Sequence, residues 1–103
     1  MIRTEQLAPD TIMFHVQGPF NPQVAKELSL SVFRSYHLGF KTFLCNLSLA
    51  MALDKDAIYQ LKLIGGGLRE KGKNWRVINA PYSNGEQLIL RTSLQHLAQA
   101  NLN

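Results

Sequence analysis

Residues 40–61, FKTFLCNLSLAMALDKDAIYQL, limit the possible folds more than any other stretch of the chain. Phe40, Thr42, Phe43, Leu44, Cys45 and Leu47 are mostly apolar on both alternating faces, with Lys41 and Asn46 the exceptions near the ends. That composition suits a central strand covered on both sides. After Ser48, residues 49–53 follow neither a helical nor a strand period and read as a loop. From Asp54 onward Ile58, Leu61, Ile64 and Leu68 recur at helical spacing, so a helix begins there. Asp54 is placed to cap it by accepting from the first-turn amides, and Asp56 inside that turn gains from the helix dipole. The stretch therefore predicts a buried strand, an acidic loop presenting Asp54, Lys55 and Asp56, and a helix. Such a loop lies at the carboxyl end of a strand, where open α/β sheets bind partners.

A chain of 103 residues makes one domain, residues 1–103, with a core of its own and no room for a second. Apolar residues at 46% and charged residues at 17% fit a globular chain and exclude a disordered one. No apolar run approaches the roughly 20 residues that span a bilayer. Residues 1–7 lack the apolar core of a secretory signal, so a cytoplasmic protein without membrane insertion is expected. Cys45 is the single cysteine, has no internal disulfide partner, and is expected to pack as a small hydrophobe.

The net charge of +4 has a local explanation. Lys62, Arg69, Lys71, Lys73, Arg76 and Arg91 supply over half of the eleven basic residues, and most of them surround the end of one helix, where cations complement the dipole. Neither a dense Lys/Arg block nor an interleaved aromatic ladder is present, so nucleic acid is not an expected partner. A basic patch facing an acidic protein suits the same residues.

From the amino end, weak alternation over residues 2–7 and clear alternation over residues 11–16, separated by Ala8, Pro9 and Asp10, predict a hairpin. Ile12, Phe14 and Val16 share one face, leaving Met13 and His15 on the other, where His15 reads as a residue of the sheet surface. Gly18, Pro19 and Phe20 break the pattern. Asn21 followed by Pro22 starts a helix that runs to about His37. Its apolar stripe is Val24, Leu28, Val32 and Tyr36, joined by Ala25 and Phe33. Gly39 ends it.

The helix that begins after Asp54 runs to about Lys71 but carries Gly65, Gly66 and Gly67, each less favourable than alanine by roughly 1 kcal/mol, so it should weaken or bend there unless close packing compensates. A phosphate-binding loop is a poor reading of the triplet, which lies within a helical pattern and not between a strand and a helix. Gly72 ends the helix, Trp75 to Ile78 is a short strand, and Pro81 stops it. Ser83 or Asn84 caps a third helix to about Arg91, and Leu94, Leu97 and Leu102 belong to a last strand or docked tail. The order β-β-α-β-α-β-α defines an α/β class, a small mixed sheet with parallel core strands and three or so helices largely on one face.

Chemistry has little support in this pattern. His15, His37 and His96 fall in separate elements, and Asp54 with Asp56 makes a carboxylate pair without a third group at ligand spacing, so no metal, cofactor or catalytic residue is expected.

Phe14-His15-Val16-Gln17-Gly18 before a helix, Phe43-Leu44-Cys45-Asn46-Leu47-Ser48 leading to Asp54, and Leu68-Arg69-Glu70-Lys71-Gly72 before Trp75-Arg76-Val77-Ile78-Asn79 together resemble the STAS domains. That family comprises anti-sigma-factor antagonists and the cytoplasmic tails of sulphate transporters, and the resemblance spans residues 10–98. Members of its phosphorylated branch carry Asp-Ser-Ser-Gly or Asp-Ser-Thr-Gly at the loop-to-helix junction, the second hydroxyl accepting phosphate from a kinase that is also an anti-sigma factor. The matching positions here are Asp54, Lys55, Asp56 and Ala57, so Asp56 stands where the phosphoserine would be. One carboxylate charge mimics in part the nearly two charges of a phosphate. The resemblance implies a non-catalytic partner-switching module that binds a protein, a kinase-like anti-sigma factor in the antagonist branch, through Leu49, Met51, Leu53, Asp54, Lys55, Asp56 and Tyr59. It also allows a second role, as an accessory STAS subunit of a larger assembly such as a lipid-transport complex.

Overall fold

The computed structural model describes residues 1–79. The hairpin is formed by β1 (Ile2–Ala8) and β2 (Thr11–Phe20), antiparallel, with Ile2 opposite Val16 and Thr4 opposite Phe14. Its turn is fastened to the next strand, because the Asp10 carbonyl accepts from the amides of Lys41, at 2.8 Å, and Thr42, at 3.0 Å. Helix α1 (Pro22–His37), strand β3 (Thr42–Leu53), helix α2 (Lys55–Glu70) and strand β4 (Asn74–Ile78) follow. The sheet order is β1-β2-β3-β4, with β2, β3 and β4 mutually parallel. The chain steps across the sheet in one direction, so two crossovers of the same hand place α1 and α2 on the same face.

That face holds the core. Ile12, Phe14 and Val16 of β2, Phe43, Cys45 and Leu47 of β3, and Trp75 and Val77 of β4 are buried beneath Ala25, Leu28 and Val32 of α1 and Ile58, Leu61 and Leu68 of α2. The mixed sheet with a parallel core is the expected architecture. The third helix and the last strand or tail expected beyond Pro81 lie outside the described residues.

Both ends of α1 are where the sequence places them. The Asn21 side-chain oxygen accepts from the Val24 amide at 2.9 Å, and Gly39 takes the left-handed conformation at φ +95° that suits a residue without Cβ. Its buried positions are Ala25, Leu28, Val32 and Ser35, with Val24 and Tyr36 packed at the margin. Phe33 does not join them: it lies one residue past Val32, about 100° round the helix, and faces outward.

Two expectations about strand length are corrected. Gly18, Pro19 and Phe20 do not end β2, and residues 49–53 are not a loop. Gly18 pairs with Ala50, Pro19 with Ala52 and Phe20 with Leu53, after register shifts at His15/Gln17 and Gly18/Pro19. Each bulge moves the following side chains to a new face, so no simple alternation survives in the sequence. Beyond Gln17, whose amide reaches the Met1 carbonyl at 2.9 Å, β1 has run out and β2 has a neighbour on one side only among the described residues. A residue lacking an N–H is tolerated there.

His15 is also corrected, from surface to buried. Its Nε2 lies 2.7 Å from Glu5 Oε1 and its Nδ1 3.0 Å from Asn46 Nδ2. The Asn46 oxygen accepts from the Ser48 amide at 3.0 Å and from Asn79 Nδ2 at 3.1 Å, which assigns the Asn46 NH2 as donor to Nδ1. His15 then carries its proton on Nε2 and donates it to the Glu5 carboxylate. The line Glu5, His15, Asn46 crosses β1, β2 and β3 on the face opposite the helices and ends on Asn79, the residue after β4.

Helix α2 runs unbroken through its three glycines. A Cβ built on Gly66 or Gly67 meets no described atom within 4 Å, so packing within the described chain does not require glycine at either position. Gly66→Ala and Gly67→Ala are each expected to stabilise the domain by about 1 kcal/mol, through helix propensity and a less disordered unfolded chain. Urea unfolding of the two variants measures this, and a loss of stability at either site would show that the site is tighter than its surroundings indicate.

Candidate functional site

The carboxyl end of β3 and the first turn of α2 form a single junction. Pairing with β2 carries β3 as far as Leu53, and the Asp54 amide then donates to the Phe20 carbonyl at 3.0 Å. Asp54 caps α2 as expected: its Oδ1 accepts from the Asp56 amide at 2.8 Å and the Ala57 amide at 3.3 Å, and its carbonyl accepts the first helical bond from Ile58. Ala57 and Ile58 face the core, which turns Lys55, Asp56 and Tyr59 outward. In a helix, Tyr59 is a surface neighbour of both Lys55 and Asp56, at spacings of four and three.

The structure brings most of the expected partner-binding residues to one exposed stretch. Leu49, Met51 and Tyr59 are 53%, 77% and 60% exposed, and Asp54, Lys55 and Asp56 are exposed between them. Leu53 is the exception. At 9% exposure it belongs to the core, so it supports the junction from beneath and makes no outward contact. The acidic loop of the sequence reading is in fact a strand end followed directly by a cap, which leaves Asp56 on a well-held helical turn.

No group of three or more His, Cys, Asp or Glu side chains is placed to hold a metal ion among the described residues. Burial pushes the Cys45 thiol up from its ordinary 9.0 to about 12, which keeps it protonated and unreactive at neutral pH. No helix among the described residues is long and apolar enough to cross a membrane.

This architecture is the STAS fold, that of the anti-sigma-factor antagonists. Similar solved structures include the phosphorylated form of the Bacillus cell fate determinant SpoIIAA, at a TM-score of 0.71 and 10% identity over 94% of this chain and 87% of that one. The unphosphorylated form of SpoIIAA aligns at 0.69 and 10%, covering 88% and 82%. An antisigma-factor antagonist STAS domain from Rhodobacter sphaeroides aligns at 0.61 and 16%, covering 77% and 85%. The fold also matches part of a longer protein, Mglu, at 0.67 and 18%, where it spans 74% of this chain and 19% of the other. At these identities the fold is what is shared. No protein-family model matches the sequence, and no curated protein is significantly similar to it.

Sequence reasoning missed an apolar seam on the outer side of the helices. Phe33 was expected on the sheet side, yet together with Tyr36, Leu63, Ile64 and Gly67 it borders a groove between α1 and α2. The available signal was Phe33 itself, one residue past Val32 and so off the Leu28/Val32 line.

Proposed function

We propose that the protein is a non-catalytic, cytoplasmic interaction module of the anti-sigma-factor antagonist type. It acts in signal transduction and transcription regulation by partner switching, and its partner, a kinase-like anti-sigma factor, docks on the end of β3 and the start of α2. The observation that carries this reading is the exposed set Leu49, Met51, Lys55, Asp56 and Tyr59 beside the Asp54 cap, on a STAS fold. Asp56 places a fixed negative charge where the phosphorylated branch adds one reversibly. The domain then behaves as though permanently close to its phosphorylated state, which in the antagonist branch does not bind the kinase.

Replacing Lys55 and Asp56 together by serine removes both charges and restores the two hydroxyls. The double variant is expected to bind the kinase-like partner more tightly than wild type by more than the roughly 1 kcal/mol of a rim charge, with a stability loss of at most about 1 kcal/mol. Titration calorimetry of both proteins against that partner measures the difference. Equal affinities would reduce Asp56 to an ordinary first-turn acid. The accessory-subunit reading would then lead, favoured by the apolar exposure of Leu49 and Met51, because permanent interfaces are more apolar than transient ones.

A further inference from the structure

The seam between α1 and α2 has a volume of about 410 Å³ and is open to solvent along its length. Val32 and Leu68 form its buried floor, and Phe33 and Leu63, 61% and 52% exposed, stand along its walls. These two large apolar side chains contribute little to the core of the described residues, so packing among those residues does not explain their exposure. Gly67 lies in the same wall, where a Cβ would meet no described atom. A helix interior disfavours glycine, and the open space above it admits the backbone of another chain.

Charge distinguishes the candidate occupants. The basic side chains lining the seam among the described residues are His37 and Lys71, both where their helices finish, and no carboxylate lines it among those residues. Lys73 adds a second ammonium nearby, 5.4 Å from the centroid of the Tyr36 ring. At the other end, a separate pocket that shares Ser29 with the seam is bordered by Pro22, Lys26 and Gln60. Lysine thus marks both ends. A second copy of this chain docked seam to seam would bring like charges together in either orientation, which opposes self-association. A helix carrying carboxylates meets no such opposition, and a third helix fits between two others at the usual 8–10 Å separation.

We propose that the α1–α2 seam is a second docking surface, which receives an amphipathic helix of a protein partner: apolar side chains fill the space between Phe33 and Leu63, the backbone passes close to Gly67, and acidic flanking residues face Lys71, Lys73 and Lys26. This surface does not depend on the reading of Asp56.

The test uses the full chain and a synthetic helix of about five turns, with leucine at helical spacing and glutamate on both flanks, compared with the same peptide bearing lysine for glutamate. Amide chemical shifts followed during titration should move along the seam, and the glutamate peptide should bind at least about tenfold more tightly, a preference that shrinks as salt is raised. Lys71→Glu should narrow that preference. Gly67→Gln should raise the melting temperature, since glutamine is the better helix former, yet weaken the glutamate peptide by about tenfold or more because its side chain enters the path of the backbone. The Lys55/Asp56 double serine variant should bind the peptide as wild type does, whatever its effect at the junction. Equal binding of the two peptides, shifts located elsewhere, or unaltered affinity in Gly67→Gln would overturn the proposal. So would self-association lost in Phe33→Asp, or association with anionic vesicles without binding of the peptide.

Discussion

Leu28→Ala is expected to destabilise the domain by about 2 to 5 kcal/mol. Leu28 is wholly buried at the middle of α1, on the face of that helix that meets the sheet, with Ala25 and Val32 beside it and Phe14 and Val16 of β2 in the same core. Truncation removes the transfer free energy of the lost methyl and methylene groups and leaves a cavity that the sheet below cannot fill by a small shift, because its strands are held by their ladder. Urea unfolding, with the slope checked for two-state behaviour, provides the measurement. A loss below about 0.5 kcal/mol would mean that α1 packs through another face. Phe33→Ala is the internal control, since its side chain stands in solvent and its loss should be far smaller.

The second large effect is alkaline. Cys45 keeps its proton in the folded state up to about pH 12, against an ordinary thiol value of 9.0. Between those values the unfolded chain has released the proton and the native chain has not, so the native state binds more protons and stability falls as pH rises. Across that window of three units the loss attributable to this one thiol reaches about 4 kcal/mol. Lysine and tyrosine also titrate there, so the readout is the difference between wild type and Cys45→Ala. The variant should be less stable at neutral pH by about 1 kcal/mol for the small cavity, and more stable than wild type above about pH 11. Parallel stability curves for the two proteins over that range would show that the thiol is reached by solvent.

The parts of the structure legible in the sequence are those written in local chemistry. Asn21-Pro22 marks the start of α1, and Gly39 its end, because a cap and a left-handed glycine depend only on a few adjacent residues. Asp54 was legible as the cap of α2 for the same reason. The last third of β3 was not, because its conformation is imposed by β2 through two bulges, and a bulge erases the alternation by which a strand is recognised. The triplet of glycines failed in the opposite sense. Propensity disfavours helix there, but Ile58, Leu61, Ile64 and Leu68 carry an apolar stripe past it and tertiary packing prevails. At the candidate site, charge and order along the chain were readable, whereas the inward turn of Leu53 and the outward turn of Phe33 depend on how β3 and α1 are rotated against the rest.

The polar line across the open face has a consequence for which sheet can form at all. Glu5, His15 and Asn46 come from β1, β2 and β3, Asn79 follows directly on β4, and each of the links from Glu5 to His15, His15 to Asn46 and Asn46 to Asn79 is a single side-chain hydrogen bond. Sliding β3 by one residue against β2 would offer His15 the thiol of Cys45 or the isobutyl group of Leu47, and would turn Asn46 into the helix-covered layer with its amide unpaired. Apolar burial alone tolerates several arrangements of Val, Leu and Phe. These four side chains do not, because their bonds can be made together in one alignment only. They act as a vernier, in which strand order and strand offset are read by the same set of marks, and misaligned sheets are penalised before the helices have closed over them.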